Sequence, residues 1–175
     1  MLALRHRQRG FTLIEILIAL SLIAILSIKA VPAYQHWIRN TQIRNGAEAM
    51  LNGMQLARAE AVRLNAQVQV VVGPDTSWAV SNAVTGTTIQ SRSGKDGSRD
   101  ASITILPAGA DRITFNGMGW VNSNGNGSAS ITQIDVKSAS YTGTQLRPLR
   151  LVVSTAGMVR MCDPAVAASD PRACP

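Results

Sequence analysis

The order of apolar and polar residues divides this 175-residue chain into three parts with different periods. Residues 11–28 are almost wholly apolar and carry one charge, Glu15. Farther on, apolar residues recur on one helical face, at Ile43, Ala47, Met50, Leu51, Met54, Ala57, Ala61 and Leu64. After Asn65 the period changes from that of a helix to that of a strand. The pattern predicts one long helix, about residues 11–65, followed by a β-rich domain.

Eight short apolar or alternating runs are the candidates for about seven strands after this helix. They lie near residues 68–72, 78–80, 87–91, 103–106, 113–115, 131–136, 149–153 and 158–161. Residues 122–128 are predicted to be a loop tip with nothing to bury, and residues 154–157 a hairpin turn. A helix followed by successive strands predicts an α+β fold, with the long N-terminal helix packed on an antiparallel β-sheet.

The N-terminal apolar segment follows a basic leader, which contains Arg5, His6, Arg7 and Arg9 and ends at Gly10. A charged side chain in hydrocarbon costs about 2.5–3.5 kcal/mol, so Glu15 implies a partner. A secretory signal would have a shorter apolar core and a small-x-small cleavage site, where this chain has Lys29. A plain membrane helix explains the length but not Glu15. Both alternatives remain open at this point.

Composition limits the choice of function. Aromatic residues make up only 4% of the chain, which argues against an aromatic-lined ligand pocket. The formal charge is +7, but three of its arginines lie in the leader, as expected for a cytoplasmic flank. The remainder is mildly basic, which is compatible with nucleic acid or anionic surfaces and demonstrates neither.

Few residues suit catalysis or metal binding. His6 belongs to the leader, and His36 lies near the end of the apolar segment. Four aspartates occur in turn-like contexts, where Asp is expected for its backbone hydrogen bonds; they are Asp75, Asp96, Asp100 and Asp111. Without a further imidazole, zinc or a nucleophilic triad is disfavoured. We predict no enzymatic activity, no metal and no cofactor.

The two cysteines, Cys162 and Cys174, both lie in the C-terminal tail. In the cytosol they would be free thiols. Behind a membrane anchor, in an oxidising compartment, they are expected to form one disulfide. Such a bond would close the tail into a short loop.

The sequence Gly10-Phe11-Thr12-Leu13-Ile14-Glu15, after a short basic leader and before a long apolar helix, resembles the class III signal of type IV pilins and type II secretion pseudopilins. This resemblance implies cleavage between Gly10 and Phe11 by a prepilin peptidase, which also methylates the new Phe11 amine. It implies that Glu15 pairs with the terminal amine of a neighbouring subunit. The expected parts are a leader (1–10), a transmembrane and filament-core helix (11–38) and a periplasmic domain (39–175).

Residues 56–65, 113–117 and 151–160 are similar to the GspH/FimT subfamily. The subfamily contains minor pilins that help to start the filament and sit near its tip, and secretion pseudopilins of the GspH type. The resemblance implies a single-pass inner-membrane precursor with a periplasmic domain, which is later carried on the pilus. Its implied partners are the prepilin peptidase, other minor pilins and the major pilin. A disulfide-closed tail resembles the pilus branch more than the secretion branch.

Some FimT-like pilins bind DNA through a Gly-Arg-x-Arg element beside the tail. The matching residues are Gly157-Met158-Val159-Arg160, in which Met158 replaces the first arginine. The resemblance implies that Arg160 would contact phosphate, and Arg147, Arg150 and Arg172 would add further contacts. The alternative is that these arginines are scattered solubilising charges.

Overall fold

The structure is a computed structural model that describes residues 11–174. Its first element is helix α1, Leu13–Leu64, which agrees with the predicted range of about 11–65. The helix continues through Pro32 but bends about one turn before it, between Ile28 and Ala30, as expected near a proline that removes one backbone donor. The described chain divides into two compact units, one ending at His36 and the other beginning at Trp37.

The predicted apolar stripe of α1 is the face that packs on the strands. Its buried members are Ile43, Ala47, Met50, Met54, Ala57 and Ala61, each no more than 1% exposed. Leu51 is only half-buried, and Leu64, the last residue of the helix, is 42% exposed. The stripe was therefore predicted correctly except at Leu64, where the helix ends and no strand covers the side chain.

The described strands are more numerous than predicted and form two sheets instead of one. They are β1 Val68–Val72, β2 Trp78–Asn82, β3 Thr88–Arg92, β4 Ala101–Leu106, β5 Arg112–Phe115, β6 Val121–Asn122, β7 Gln133–Ser138, β8 Leu149–Val153 and β9 Val159–Cys162. A five-stranded sheet has the order β3-β2-β1-β5-β6, and a four-stranded sheet has the order β4-β7-β8-β9. Every strand pairing is antiparallel. The α+β class is confirmed.

The prediction for one loop is wrong at one residue. Residues 122–128 were expected to bury nothing, yet Asn124 is 5% exposed. Its side-chain amide donates to the carbonyl oxygens of Arg112, Ser128 and Ala129. Its Oδ1 accepts a hydrogen bond of 2.9 Å from the buried hydroxyl of Thr114. The loop therefore closes over one satisfied polar side chain, because a buried amide is stable only when its donors and acceptor are paired.

The N-terminal unit has a different character. The large apolar side chains from Phe11 to Ile28 are exposed, by 50% or more in each case. Among the described residues no single helical stretch meets the length and composition criteria for crossing a membrane. The segments on the two sides of the bend, Leu13–Ile28 and Ala30–Leu64, meet these criteria only when they are taken together. An apolar surface of this extent is not stable in water, so it requires lipid or neighbouring apolar chains.

Candidate functional site

The first candidate site is the start of helix α1. Thr12 precedes the helix, and its hydroxyl accepts a hydrogen bond of 3.3 Å from the main-chain N–H of Glu15. Thr12 is thus an N-cap residue, and the spacing Thr-x-x-Glu is that of a capping box. The Glu15 side chain is exposed and makes no hydrogen bond or ion pair with the residues that the structure describes. A carboxylate in the first helical turn also meets the positive end of the helix dipole.

This arrangement leaves Glu15 available to an external cation. Phe11, the residue expected to carry the new amino terminus, is 79% exposed, and the neighbouring Leu13 and Ile14 are also exposed. Gly10 and the rest of the leader lie outside the described residues, so cleavage there stays a prediction. The start of the helix therefore presents one acid on an uncovered apolar surface.

The second candidate site is the C-terminal tail. Cys162 and Cys174 form a disulfide, as predicted for an oxidising compartment. The tail is also held by its backbone, since the Asp163 N–H donates to the Arg172 carbonyl at 2.8 Å. The Arg172 guanidinium donates to Asp170, and this hydrogen bond lowers the Asp170 pKa to about 2. Asp170 is therefore charged throughout the physiological pH range.

The tail forms one wall of a surface cavity of about 510 Å³, which we name the Arg147 groove. Its lining residues are Trp37, Asn40, Thr41, Arg44, Arg147, Leu149, Met161, Cys162, Asp163, Pro171 and Arg172. The helical wall comes from one face of α1, since its four residues are spaced i, i+3, i+4 and i+7. This spacing was visible in the sequence, but nothing in the sequence indicated that the tail would lie opposite it.

Asn40 places Arg147 at this groove. The Asn40 side-chain N–H donates to the carbonyl of Gln145 at 3.0 Å, and its oxygen accepts from the main-chain N–H of Arg147 at 2.9 Å. One helical side chain thus fixes the backbone that precedes β8. The Arg147 side chain is exposed and is left without an ion pair among residues 11–174.

The four arginines proposed from the DNA-binding resemblance do not form one cluster. Arg147 and Arg172 line the groove, whereas Arg150 and Arg160 project from the outer face of the four-stranded sheet. Arg150 makes a bidentate contact with Asp135, at 2.6 and 3.0 Å, and this hydrogen bond raises the Arg150 pKa. Arg160 is exposed and has no acidic partner in the described part of the chain.

Asp75 and Asp111, two of the four aspartates that were expected to serve in turns, make structural contacts. Asp75 accepts the Ser77 N–H at 2.8 Å, and hydrogen bonds from Ser77 lower its pKa. Asp111 pairs with Arg112 at 2.8 Å. Among residues 11–174, no group of His, Cys, Asp or Glu is arranged to hold a metal ion.

Comparisons with known proteins agree with this organisation. Residues 46–157 match the family model described as type II transport protein GspH, and residues 5–28 match the prokaryotic N-terminal methylation motif. The chain is 35% identical over 104 residues to the type IV major fimbrial protein FimA of Dichelobacter nodosus, covering 58% of this chain and 61% of that protein. It is 27% identical over 125 residues to prepilin peptidase-dependent protein D of Escherichia coli K12, covering 68% and 78%. The chain therefore spans somewhat less than two thirds of the FimA relative.

The fold also has a solved counterpart. The minor pilin FimU of Pseudomonas aeruginosa superposes with a TM-score of 0.54 at 17% identity, covering 73% of this chain and 92% of that one. A second crystal form gives the same TM-score at 16% identity. At this identity the likeness establishes the arrangement of the helix and sheets alone.

Proposed function

The chain belongs to the GspH family of pilin-like proteins, and on that premise we propose that it is a minor subunit of a type IV pilus. The family consists of structural subunits and not of enzymes. The observation that carries the proposal is the start of helix α1, where an exposed apolar surface with one uncovered acid lies within the match to the methylation motif. Such a surface suits a helix that first lies in lipid and then packs against other helices.

We propose the following sequence of events. The precursor is held in the inner membrane by residues 11–38, with residues 39–175 in the periplasm. A prepilin peptidase removes residues 1–10 and methylates the Phe11 amine. The subunit then joins other minor pilins and the major pilin, helps to initiate the filament and stays near its tip.

The main alternative within the same family is a pseudopilin of a type II secretion system. The description of the matching family model favours secretion, whereas the relatives named as fimbrial proteins and the fold of FimU favour a pilus. The disulfide-closed tail supports assignment to a pilus, because a C-terminal tail of this kind resembles that of minor pilins. We adopt the pilus as the proposal.

Recovery in sheared pili tests this choice. We expect an epitope-tagged chain to be recovered with pili sheared from cells, far below the major pilin in amount, and to cross-link to fimbrial subunits. Quantitative immunoblotting of the sheared and cell fractions measures the amount of tagged chain in each and detects its cross-linked products. Gly10→Val is the matched control, because an uncleaved precursor should stay with the membrane. Recovery with secretion components, and none in sheared pili, would contradict the pilus assignment.

A second candidate function is DNA binding during uptake. The outer face of the four-stranded sheet favours it, because Lys137, Arg150 and Arg160 share this side with one acid, Asp135. Asp135 already pairs with Arg150, and both side chains are about 30% exposed. An incoming phosphate would therefore meet Arg160 first. Phosphate contacts supply sequence-independent affinity that falls with salt.

Arg160→Ala tests the DNA proposal. We expect this variant to weaken duplex binding by about three- to tenfold at low salt, because one phosphate contact is lost. The slope of log K against log salt concentration should become shallower by about one. Gel shifts at several salt concentrations measure both. Arg63→Ala serves as a control, since Arg63 is exposed and pairs with Glu60 on helix α1. Weak binding that is equal in the wild type and in Arg160→Ala, and insensitive to salt, would end the proposal.

A further inference from the structure

The arginines of the Arg147 groove have more hydrogen-bond donors than the nearby acids accept. The acid that lines the groove is the buried Asp163, whose charge attracts Arg172. Arg44 donates to Glu48 through Nε alone, at 2.9 Å. Arg172 donates to Asp170 through Nε and Nη2. A guanidinium has five N–H donors, so both groups keep donors for another acceptor, and the Arg147 side chain is left without an ion pair among residues 11–174.

The existing ion pairs would not prevent a new anion from binding. The Arg44 and Glu48 side chains are 69% and 47% exposed, and those of Arg172 and Asp170 are 60% and 26% exposed. Pairs this exposed contribute little, since water screens them. Phosphate accepts bidentate hydrogen bonds from guanidinium groups, which are the groups that this groove presents.

The same groove has an apolar side. Trp37, Leu149 and Met161 line it together with the arginines. A ligand that satisfied both sides would carry an anionic group and an apolar part. At about 510 Å³, the groove is of the size that holds one small group rather than a polymer.

The position of the groove in the chain indicates where such a ligand would come from. In the sequence, Trp37 comes nine residues after Ile28, the last residue of the apolar segment. Tryptophan is enriched where a membrane meets water, and basic residues just beyond a membrane segment attract anionic lipids. A nucleic acid or a soluble anion has no comparable reason to be concentrated at this part of the chain.

We propose that the Arg147 groove binds the phosphate headgroup of an anionic phospholipid while the protein is anchored in the membrane. Arg147 is the principal phosphate ligand, and Arg44 and Arg172 donate from either wall. Trp37, Leu149 and Met161 contact the glycerol and upper acyl region. The proposal rests on the proposed membrane anchoring of the helix, and it adds a lipid-specific contact that the helix alone does not supply.

Lipid retention by the full-length chain tests this directly. The protein is purified in detergent with equal amounts of phosphatidylglycerol and phosphatidylcholine, and bound lipids are counted by native mass spectrometry. We expect phosphatidylglycerol to be retained at least fivefold over phosphatidylcholine, and Arg147→Gln to remove most of this preference. The fold should survive, because Asn40 bonds the main-chain N–H of Arg147 and not its side chain. Unchanged thermal unfolding of the variant verifies this.

Arg99→Gln is the matched control, since it removes the same charge from an exposed arginine outside the groove. Equal losses in Arg147→Gln and Arg99→Gln would overturn the proposal, because net charge would then explain the binding.

A competition experiment distinguishes a lipid phosphate from free phosphate. Short-chain phosphatidylglycerol should displace the retained lipid, and inorganic phosphate at the same concentration should not. If inorganic phosphate displaced the lipid as well as short-chain phosphatidylglycerol does, the groove would be a site for free phosphate and the lipid proposal would be wrong. Neither measurement depends on filament assembly, so failure of the pilus proposal would be seen separately.

Discussion

Glu15→Ala is expected to be cleaved normally and yet to be recovered in sheared pili at a level at least tenfold below that of the wild type. The substitution removes the one acid on the apolar surface of residues 11–28, so it makes the helix easier to place in lipid. Loss of incorporation therefore cannot arise from poor membrane insertion. It would arise because the neighbouring subunit's terminal amine meets no opposite charge in a medium of low dielectric constant.

Immunoblots of membrane and sheared fractions measure cleavage and incorporation in the same cells. Glu15→Asp is the matched control, because it keeps the charge on a shorter side chain and should restore part of the incorporation. Glu15→Gln keeps the size without the charge and should behave like Glu15→Ala. Normal incorporation of Glu15→Gln would show that the negative charge at position 15 is not required, and it would contradict pairing with a terminal amine. The main-chain hydrogen bond from Glu15 to Thr12 does not involve the substituted side chain.

The methylation motif could be recognised from the sequence because its information is local. Gly10, Phe11 and Glu15 lie within six consecutive residues, and the cost of one acid in an apolar run is independent of the rest of the fold. The buried helix stripe was also local, since a period of 3.6 residues specifies a face. In contrast, a period of two specifies a strand but not its partner, so the division into two sheets was not predictable.

Two glycines in helix α1 have a structural role that becomes visible only in the packed domain. Helix propensity alone predicts that Gly46 and Gly53 only weaken the helix slightly. In the structure a Cβ at Gly53 would lie 2.8 Å from the Trp78 ring, and one at Gly46 would lie 2.8 Å from the Thr76 methyl group. Gly53 therefore lets the strand residue Trp78 approach the helix closely, and Gly46 does the same for Thr76 in the loop between β1 and β2. The sequence contained the signal, two glycines on a buried helix, but not the identity of the residues that approach them.

The Arg147 groove was missed for a related reason. Two of its arginines, Arg147 and Arg172, were grouped with Arg150 and Arg160 by a resemblance to a linear element, to which only Arg160 belongs. Arg44 and Trp37, which complete the groove on the helix side, carry no motif in the sequence that would single them out. The groove forms because the disulfide returns the tail to the start of the domain, beside β8. Only the folded chain brings Arg44, Arg147 and Arg172 to one surface.

The largest loss of stability is expected at the junction of two turns, where Gly157 packs against Gly119. Gly157 has φ of +75°, and a Cβ there would collide with the Gly119 carbonyl oxygen. That oxygen also accepts the Arg58 Nε–H at 3.0 Å, and the Val121 N–H donates to the Thr155 carbonyl at 3.1 Å. A new methyl group would therefore separate the β8–β9 hairpin from both its neighbouring turn and helix α1.

Gly127→Ala separates this collision from the general cost of an alanine at positive φ. Gly127 has the same φ of +75°, and no atom lies within 4 Å of a Cβ placed there. The left-handed conformation should cost both variants about 1–2 kcal/mol. Gly157→Ala should lose about 1–3 kcal/mol more, because the obstacle is backbone and cannot rotate away. Thermal unfolding of the full-length chain should show a Tm drop of about 10 °C for Gly157→Ala and about 4 °C for Gly127→Ala. Equal drops would mean that the two turns separate without cost, and that the hairpin carrying Arg160 is held by the sheet alone.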